Sequence, residues 1–465
     1  MSPVMRGLLF SVLAWGLCLS AQAGNYVYIL TGQSNSLGAV KGTPATPEML
    51  QRYASEGLLW NGNMVRDTGE CFEKNPSWQV VAPQLPTYGN LCMGPEYGFS
   101  YMMHRRGWHT KMGDKLYIIK ASLDGGGNSF WLPNGAAWKS LTSSLKTALS
   151  RVPADAHVQA LLYLQGESDK AEEISRASER FADLRTRMKK EAKKGPFHYA
   201  VVGECATWDG RETKDAKGNT SAGVMYAMTR KKKDVGWVRT RDLSKITSGD
   251  QMGVHYDGKS QITIGARYAY AVAVLEKLPL GSVRGDAPDA SVDTPAAWWG
   301  GKVPGEADVA VWDASSANAE DVLRKDMSVA GVRVEDPYRD EVVLAPGNKK
   351  KAVLRLGTKG IALEGASLAV KCGVHTAADQ VWHVATGHNL SLGTPEAPVE
   401  LSGSGRITLS GAAGASVVLH LQSAPEQEWL LGSEAPRVSA TIGGKPAQLE
   451  KQGSGYKLLP VPPGK

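Results

Sequence analysis

The chain has 465 residues, 42% of them hydrophobic, and a formal net charge of +7 at neutral pH. That length suggests two or three domains, and the apolar content supports a sizeable core. The charge is mild for so long a chain. Its basic runs, Lys189-Lys190, Lys193-Lys194, Arg230–Lys233 and Lys349–Lys351, lack interleaved aromatics, which argues against a nucleic-acid groove. They read as solvated faces with at most a weak attraction for acidic glycans.

Residues 1–23 read as a secretory signal. Arg6 is their only charge, Leu8–Leu19 is apolar, and Ala21-Gln22-Ala23 fits the small-x-small cleavage rule. The apolar run is short for a membrane span. Trp15-Gly16-Leu17 before Cys18 is a poor lipid-attachment context. The expectation is an exported protein, secreted or periplasmic, cleaved after Ala23 and without an integral membrane segment. Cys71, Cys92, Cys205 and Cys372 remain after cleavage. Export permits disulfides. Cys71 and Cys92 flank one loop-like segment and are the expected pair, with Cys205 and Cys372 as free thiols. No Cys/His cluster suggests a metal site, and no cofactor is expected.

Tyr26–Leu30 is aromatic and β-branched, bounded by glycine, and predicts a strand. It runs into Gly32-Gln33-Ser34-Asn35, a tight turn that can present Ser34 as a nucleophile. Residues 39–95 are rich in Pro, Gly, Asn and Trp and read as a long loop on an active-site rim. Gly94-Pro95-Glu96 opens a helix to about Arg106. Leu116–Ala121 reads as a buried strand leading to Gly125-Gly126-Gly127, whose backbone N–H groups suit an oxyanion site. A helix is expected over 137–152 and a strand over 156–164, ending at Gln165-Gly166-Glu167-Ser168-Asp169. A charged helix over 170–194 turns Ile174, Phe181, Leu184 and Met188 inward. Strands at 197–203 and 236–241 enclose a helix at 222–233. A loop bearing His255 then leads to a helix over 260–277.

Strands alternating with helices imply a mostly parallel sheet covered on both faces. In such sheets, ligands bind beyond the carboxyl ends of the strands. Ser34, Gly125–Gly127, Gln165 and Glu167 follow predicted strands and His255 lies in the final loop, so they can converge. The domain reading is a signal at 1–23, an α/β domain at 24–278, a linker at 279–295 and a β-rich domain at 296–465. In the last, short β-rich runs such as 308–312, 352–356, 367–370, 406–409 and 417–421 are separated by turns, as in a sandwich or an irregular solenoid. His375, His383 and His388 match no metal motif there and read as structural or surface residues.

Gly32-Gln33-Ser34-Asn35, Gly94-Pro95-Glu96, Gly126-Gly127 before Trp131, Gln165-Gly166-Glu167-Ser168-Asp169 and His255-Tyr256-Asp257 with Gly265-Ala266-Arg267-Tyr268-Ala269 occur in that order. Over about residues 25–275 this resembles the SGNH hydrolases, in the branch of sialate O-acetylesterases and carbohydrate esterase family six. The resemblance implies a flavodoxin-like α/β/α domain and hydrolysis of O-acetyl esters on carbohydrates. It implies Ser34 as nucleophile and His255 as base, with an oxyanion hole from the Ser34 and Gly127 N–H groups and the Gln165 amide. Asn35, Asn128 and Trp131 are the expected substrate contacts, and Trp60, Trp78, Trp131 and Trp208 are candidate stacking walls. The Ala296–Gly305 segment resembles the openings of repeats in large bacterial surface proteins, in keeping with a bacterial exported origin.

One position departs from the resemblance. The family places Asp three residues before the histidine, where this chain has Met252. Glu167 is the first candidate for the acid and Asp250 the second, and a Ser–His dyad is the third possibility. Asp257 reads as a brace for the helix that follows. The departure leaves an alternative open: a glycan-binding surface protein on an esterase scaffold, weakly catalytic or not catalytic.

Overall fold

The computed structural model describes residues 24–38, 46–65, 68, 70–82, 84–87, 90–110, 113–195, 197–207, 213–247, 253–335, 341–347 and 352–462, with backbone only for 84–87 and 90–92. The proposed signal peptide therefore lies outside the described residues. No helix among them is long and apolar enough to cross a membrane.

The first half is a seven-stranded sheet. Its strands are β1 (Asn25–Gly32), β2 (Leu58–Asn61), β3 (Trp78–Val80), β6 (Lys115–Lys120), β7 (His157–Leu164), β8 (Tyr199–Gly203) and β9 (Val235–Val238). A separate hairpin pairs β4 (Gln84–Thr87) with β5 (Asn90–Cys92). The spatial order is β3-β2-β6-β1-β7-β8-β9, and only β3 runs antiparallel. Without the edge pair β2 and β3, this is the flavodoxin order 2-1-3-4-5, whose switch point lies between β1 and β7. Residues 39–95, expected as one long loop, supply that edge pair, the hairpin and a short helix, α2 (Pro47–Arg52). The difference has a physical reason: strands of three or four residues are too short to show a period of two.

Both faces of the sheet are covered, so its strands are apolar throughout rather than alternating. Val27 and Ile29 face one core, with Leu141 and Leu145 of α4 (Ala136–Ser150) and Phe181 and Leu184 of α5 (Ala171–Ala192). Tyr28 and Leu30 face the other, with Phe99 and Met102 of α3 (Glu96–Arg106) and Ile262 and Ala266 of α7 (Gly258–Glu276). On α5 the buried positions Ile174, Ala177, Phe181, Leu184 and Met188 recur every three or four residues, as an amphipathic helix requires. Fully burying each large side chain contributes about 1.5–3 kcal/mol. Between β8 and β9, α6 (Ser221–Thr229) packs beside α5.

The second half is a coil of parallel strands. One ladder runs β10 (Val309–Trp312), β12 (Met327–Val334), β14 (Val353–Leu363), β17 (Gln380–Val384), β20 (Ile407–Gly411) and β22 (Trp429–Leu431). Another runs β11 (Asp321–Leu323), β13 (Glu341–Pro346), β15 (Ser367–Val370), β18 (Asn389–Leu392), β21 (Ser416–Leu421) and β23 (Arg437–Ile442). A short third face pairs β16 (Gly373–Thr376) with β14 and with β19 (Leu401–Gly403). In-register stacks such as Trp312, Val334, Leu363 and Val384 fill the core. Each turn takes roughly 20–30 residues, the length of a solenoid repeat. The antiparallel hairpin β24 (Lys445–Gln452) and β25 (Gly455–Pro460) joins both ladders at the end and covers edges that would otherwise lie open. His375 and His383 each pair through Nδ1 with a serine one turn on, Ser402 and Ser410, at 3.1 Å. They are rungs of the coil.

Within the segment expected as a linker, Arg284 is fully buried. It donates from Nε to Asp321 Oδ1 at 2.7 Å and from Nη1 to Ala297 O at 3.0 Å. The two halves are also joined directly. Arg106 reaches Asp313 at 2.6 Å and Glu335 at 3.0 Å, and the Tyr270 hydroxyl donates to Asp313 at 2.8 Å. Cys71, Cys205 and Cys372 are free thiols, so Cys71 has no disulfide partner among the described residues; the side chain of Cys92, its expected partner, lies outside them.

Candidate active site

Ser34 is the first residue of α1 (Ser34–Leu37), a single turn of helix entered directly from β1. Gly32 makes the entry possible. It has φ +142°, and a Cβ there would lie 1.9 Å from Leu164 O, so no larger residue fits. The turn is locked to β7 by the next side chain. Gln33 is 1% exposed, its N–H donates to Leu164 O at 3.0 Å, and its Oε1 accepts from Gln165 Nε2 at 3.0 Å and Ser168 N at 3.1 Å. The first N–H groups of a helix have no intrahelical acceptor, and no side chain caps α1. The Ser34 N–H therefore sits at an uncapped helix start.

His255 lies in the turn before α7, 221 residues away in sequence, yet its Nε2 is 2.7 Å from Ser34 Oγ. Its carbonyl accepts from Ile246 N–H at 2.8 Å. Asp257 caps α7, accepting from Ser260 N–H at 2.8 Å, the bracing role expected of it. Burial pushes the His255 imidazole down from 6.5 to about 4, because a low-dielectric site disfavours the cation. Its Nδ1 is buried and meets no hydrogen-bond partner among the described residues.

Asn35 ties this turn to Glu167. Its Nδ2 donates to Glu167 Oε1 at 2.7 Å and to Val254 O at 3.1 Å, while its Oδ1 accepts from Tyr256 N–H at 3.1 Å. Glu167 Oε1 also accepts from Ala206 N–H at 3.3 Å, and its Oε2 is buried without a partner among the described residues. Burial raises the Glu167 carboxyl above the usual range, against the opposing Asn35 hydrogen bond. Asp250 and Met252 lie outside the described residues.

Three side chains differ from their expected roles. Gln165 uses Nε2 on Gln33 Oε1 at 3.0 Å and Gly126 O at 2.7 Å, so both amide hydrogens are engaged inside the protein. Trp131 is 2% exposed and donates to Gln165 Oε1 at 3.0 Å. Asn128 donates to Asp169 Oδ2 and Glu173 O at 2.9 Å each and accepts from Arg180 Nη1 at 2.6 Å. These residues shape the wall of the site, and Asn35 likewise has every polar group paired. Trp60 is fully buried, Trp78 packs on it edge-on at 5.7 Å, and Trp208 lies outside the described residues.

The supports of Gly127 are less legible in the sequence. Glu173, at the third position of α5, accepts from Lys170 N–H at 2.9 Å and Ser129 N–H at 3.0 Å. Burial would raise its carboxyl, but the Lys170 and Ser129 donors outweigh it and hold the group below its usual value. A Cβ on Gly127 would lie 2.3 Å from Glu173 Oε2. Asp169, whose carboxyl burial raises, accepts from Asn128 N–H at 2.8 Å and Ser221 Oγ at 2.7 Å. A capping-box glutamate is visible in sequence, but its second task, bracing a glycine loop 44 residues upstream, is not. Among the described residues no group of three or more His, Cys, Asp or Glu side chains is placed to hold a metal ion.

The model of the sialic acid-specific acetylesterase family of carbohydrate esterases matches residues 24–274. The chain belongs to that family. The match spans the sheet, both helical layers and the Ser34–His255 pair. Solved structures similar to it include a protein of Arabidopsis thaliana at 14% identity and TM-score 0.39, covering 54% of this chain and 98% of that one. NanS, at 14% identity and TM-score 0.39, covers 55% of this chain and 98% of its own. A carbohydrate acetylesterase from Xanthomonas citri, at 13% identity and TM-score 0.35, covers 54% and 56%. No curated protein sequence matches the chain. This esterase therefore joins a carbohydrate O-acetylesterase unit to a β-coil.

The coil reaches the site through one charged cluster. Arg267 of α7, fully buried, donates to both oxygens of Asp242 at 2.8 and 2.7 Å, and to Ser315 O and Ser316 O at 3.1 Å each. Asp242 also accepts from Asn318 N–H at 2.7 Å. Asp242 heads the stretch whose Ile246 holds the His255 carbonyl.

Proposed function

We propose that the esterase removes O-acetyl groups from sialic acid or other acetylated glycans through an acyl-enzyme on Ser34. The observation that carries this reading is the 2.7 Å contact between Ser34 Oγ and His255 Nε2 at the carboxyl end of β1, beside the switch point where ligands of open α/β sheets bind. His255, neutral at pH 7, accepts the Ser34 proton as the hydroxyl attacks the acetyl carbonyl, then returns it to the sugar alkoxide. The Ser34 and Gly127 N–H groups stabilise the oxyanion. Gln165 supports this arrangement by holding the Gly126 carbonyl. Water then releases acetate and restores the serine.

Glu167 is proposed as the acid that balances the imidazolium. Its free oxygen and His255 Nδ1 are both buried and unpaired, and Asn35 links their elements. Export after cleavage at Ala23 belongs to the same proposal. Acetate release from acetylated sialic acids, mucin glycans and xylan by wild type and Ser34→Ala tests the reading. Turnover that persists in Ser34→Ala refutes it. Glu167→Gln and Asp250→Asn assign the acid: if only the Asp250 change slows acylation, Glu167 is the wrong choice.

A further inference from the structure

The free side of the sheet carries a feature the reaction does not use. β9 is the last strand in the order, and a cleft of about 500 Å³ runs along its outer edge between α6, α7 and the start of the coil. Tyr226 and Val274 line it; they are 40% and 42% exposed, two of the five large apolar side chains exposed among the described residues. The ring of Tyr226 leans on Trp237, with centroids 5.4 Å apart and planes at 60°. Trp299 closes the opposite wall, stacked on Tyr270 at 5.4 Å.

Arg230, Lys232 and Lys233 stand on the rim. Among the described residues none of them has a carboxylate partner. The nearby acids are engaged elsewhere, Asp234 with Arg185 at 2.7 Å and Asp286 with Arg239 at 3.0 Å. Cations alone would be explained as guards of an open sheet edge. Guarding needs no exposed aromatic wall, and an exposed apolar patch rimmed by charge marks a binding surface. Sugars offer what this cleft accepts: apolar ring faces for Tyr226 and Trp237, and hydroxyls for the outward N–H and C=O groups of β9. Unpaired cations call for carboxylates on that sugar. A peptide adding as a strand is less favoured, because β9 has four residues and Asp286 already occupies the Arg239 N–H just beyond it at 2.8 Å.

We propose that this cleft is a second glycan site, selective for oligosaccharides that carry carboxylates. It rests on the carbohydrate-esterase reading and extends it. β9 is three strands from β1, about 14 Å across the sheet at the usual strand spacing, and the cationic rim lies at the amino end of β9, opposite the end that carries Ser34. An acidic glycan held there leaves the reaction centre open for acetylated sugars of the same polymer.

The test titrates full-length Ser34→Ala protein with non-acetylated oligosialic acid, following tryptophan fluorescence and calorimetry at low and at 0.15 M salt. Binding is expected to weaken at least tenfold in Lys232→Glu/Lys233→Glu and in Tyr226→Ala. The same groove changes in the Ser34 enzyme are expected to leave hydrolysis of a small chromogenic acetate unchanged. Undiminished binding by the charge-reversed protein overturns the proposal, as does equal affinity for neutral xylan oligomers. Equal affinity for polyglutamate, insensitive to Tyr226→Ala, also overturns it in favour of a plain edge guard. Acetate hydrolysis without oligosialate binding refutes the cleft alone, whereas binding without Ser34-dependent hydrolysis refutes the esterase mechanism alone.

Discussion

Asn35→Asp replaces one NH2 group by an oxygen and leaves the shape of the side chain unchanged. Asn35 is fully buried, and that NH2 lies 2.7 Å from Glu167 Oε1 and 3.1 Å from Val254 O. Two full negative charges at that separation repel by about 6 kcal/mol at an effective dielectric of 20. Keeping one carboxyl protonated at pH 8 costs about 5.5 kcal/mol, starting from an ordinary aspartate near 3.9. At pH 5 the same protonation costs about 1.5 kcal/mol. The pair therefore binds a proton, and a carboxyl raised above its unfolded value loses stability as pH rises. The variant is expected to be destabilised relative to wild type by up to about 4 kcal/mol more at pH 8 than at pH 5, with about 1–3 kcal/mol at both pH values from the lost Val254 bond. Urea unfolding followed by tryptophan fluorescence at the two pH values measures it, with Asn35→Ala as the control: it adds no charge and removes only the hydrogen bond that lowers Glu167, so its loss grows less with pH than that of Asn35→Asp. An Asn35→Asp penalty equal at pH 5 and pH 8 would refute the placement of Asn35 against the Glu167 carboxylate.

Other consequences follow from the same geometry. The acid limb of kcat/KM is expected below 6.5, toward the value of about 4 to which burial pushes His255; on the proposed role of Glu167 as the acid, Glu167→Gln moves it lower still, because a carboxylate favours the imidazolium. His255 also affects stability: its folded value is depressed, so about 3 kcal/mol present above pH 6.5 is lost as pH falls through about 4, as thermal melts of wild type against His255→Gln would reveal. Gly127→Ala pushes a methyl to 2.3 Å from Glu173 Oε2 and should lower kcat about a hundredfold by displacing one proposed oxyanion donor, with KM little changed in steady-state assays. Asp242→Asn weakens the buried pair with Arg267 and is expected to cost about 3–5 kcal/mol and to lower kcat; full activity in that variant would mean the coil does not support the His255 turn. Lys120→Met leaves the Glu96 carboxylate without the cation 2.7 Å away and should cost about 3–5 kcal/mol, most of it recovered in the double variant with Glu96→Gln.

The sequence by itself determined the long strands and helices of the first half and their order. Apolar runs such as Tyr26–Leu30 and Val158–Leu164 are continuous because both faces of a parallel sheet are buried, and the stripe on α5 recurs at the helical period because only one side is. Those local patterns placed Ser34, Gly127 and Gln165 after strands and His255 in the last loop. They did not decide what each side chain touches. Gln165 and Asn128 look like free amides in the sequence, yet the structure pairs them with Gln33, Gly126, Asp169, Glu173 and Arg180, partners set by how strands and helices stack. The edge strands β2 and β3 were too short to carry a period. The β-runs after residue 296 could suit a sandwich or a solenoid, since alternation is the same in both; only the long-range register, such as Trp312 beside Val334, decided for the coil. The Arg267–Asp242–Asn318 link across the two halves is likewise a tertiary fact, because nothing local requires an arginine on a helix to meet carbonyls 48 residues further on. The opening turn shows the division most plainly: Gly32 and Ser34 announce a tight turn in the sequence, and only folding brings His255, 221 residues away, to the serine oxygen.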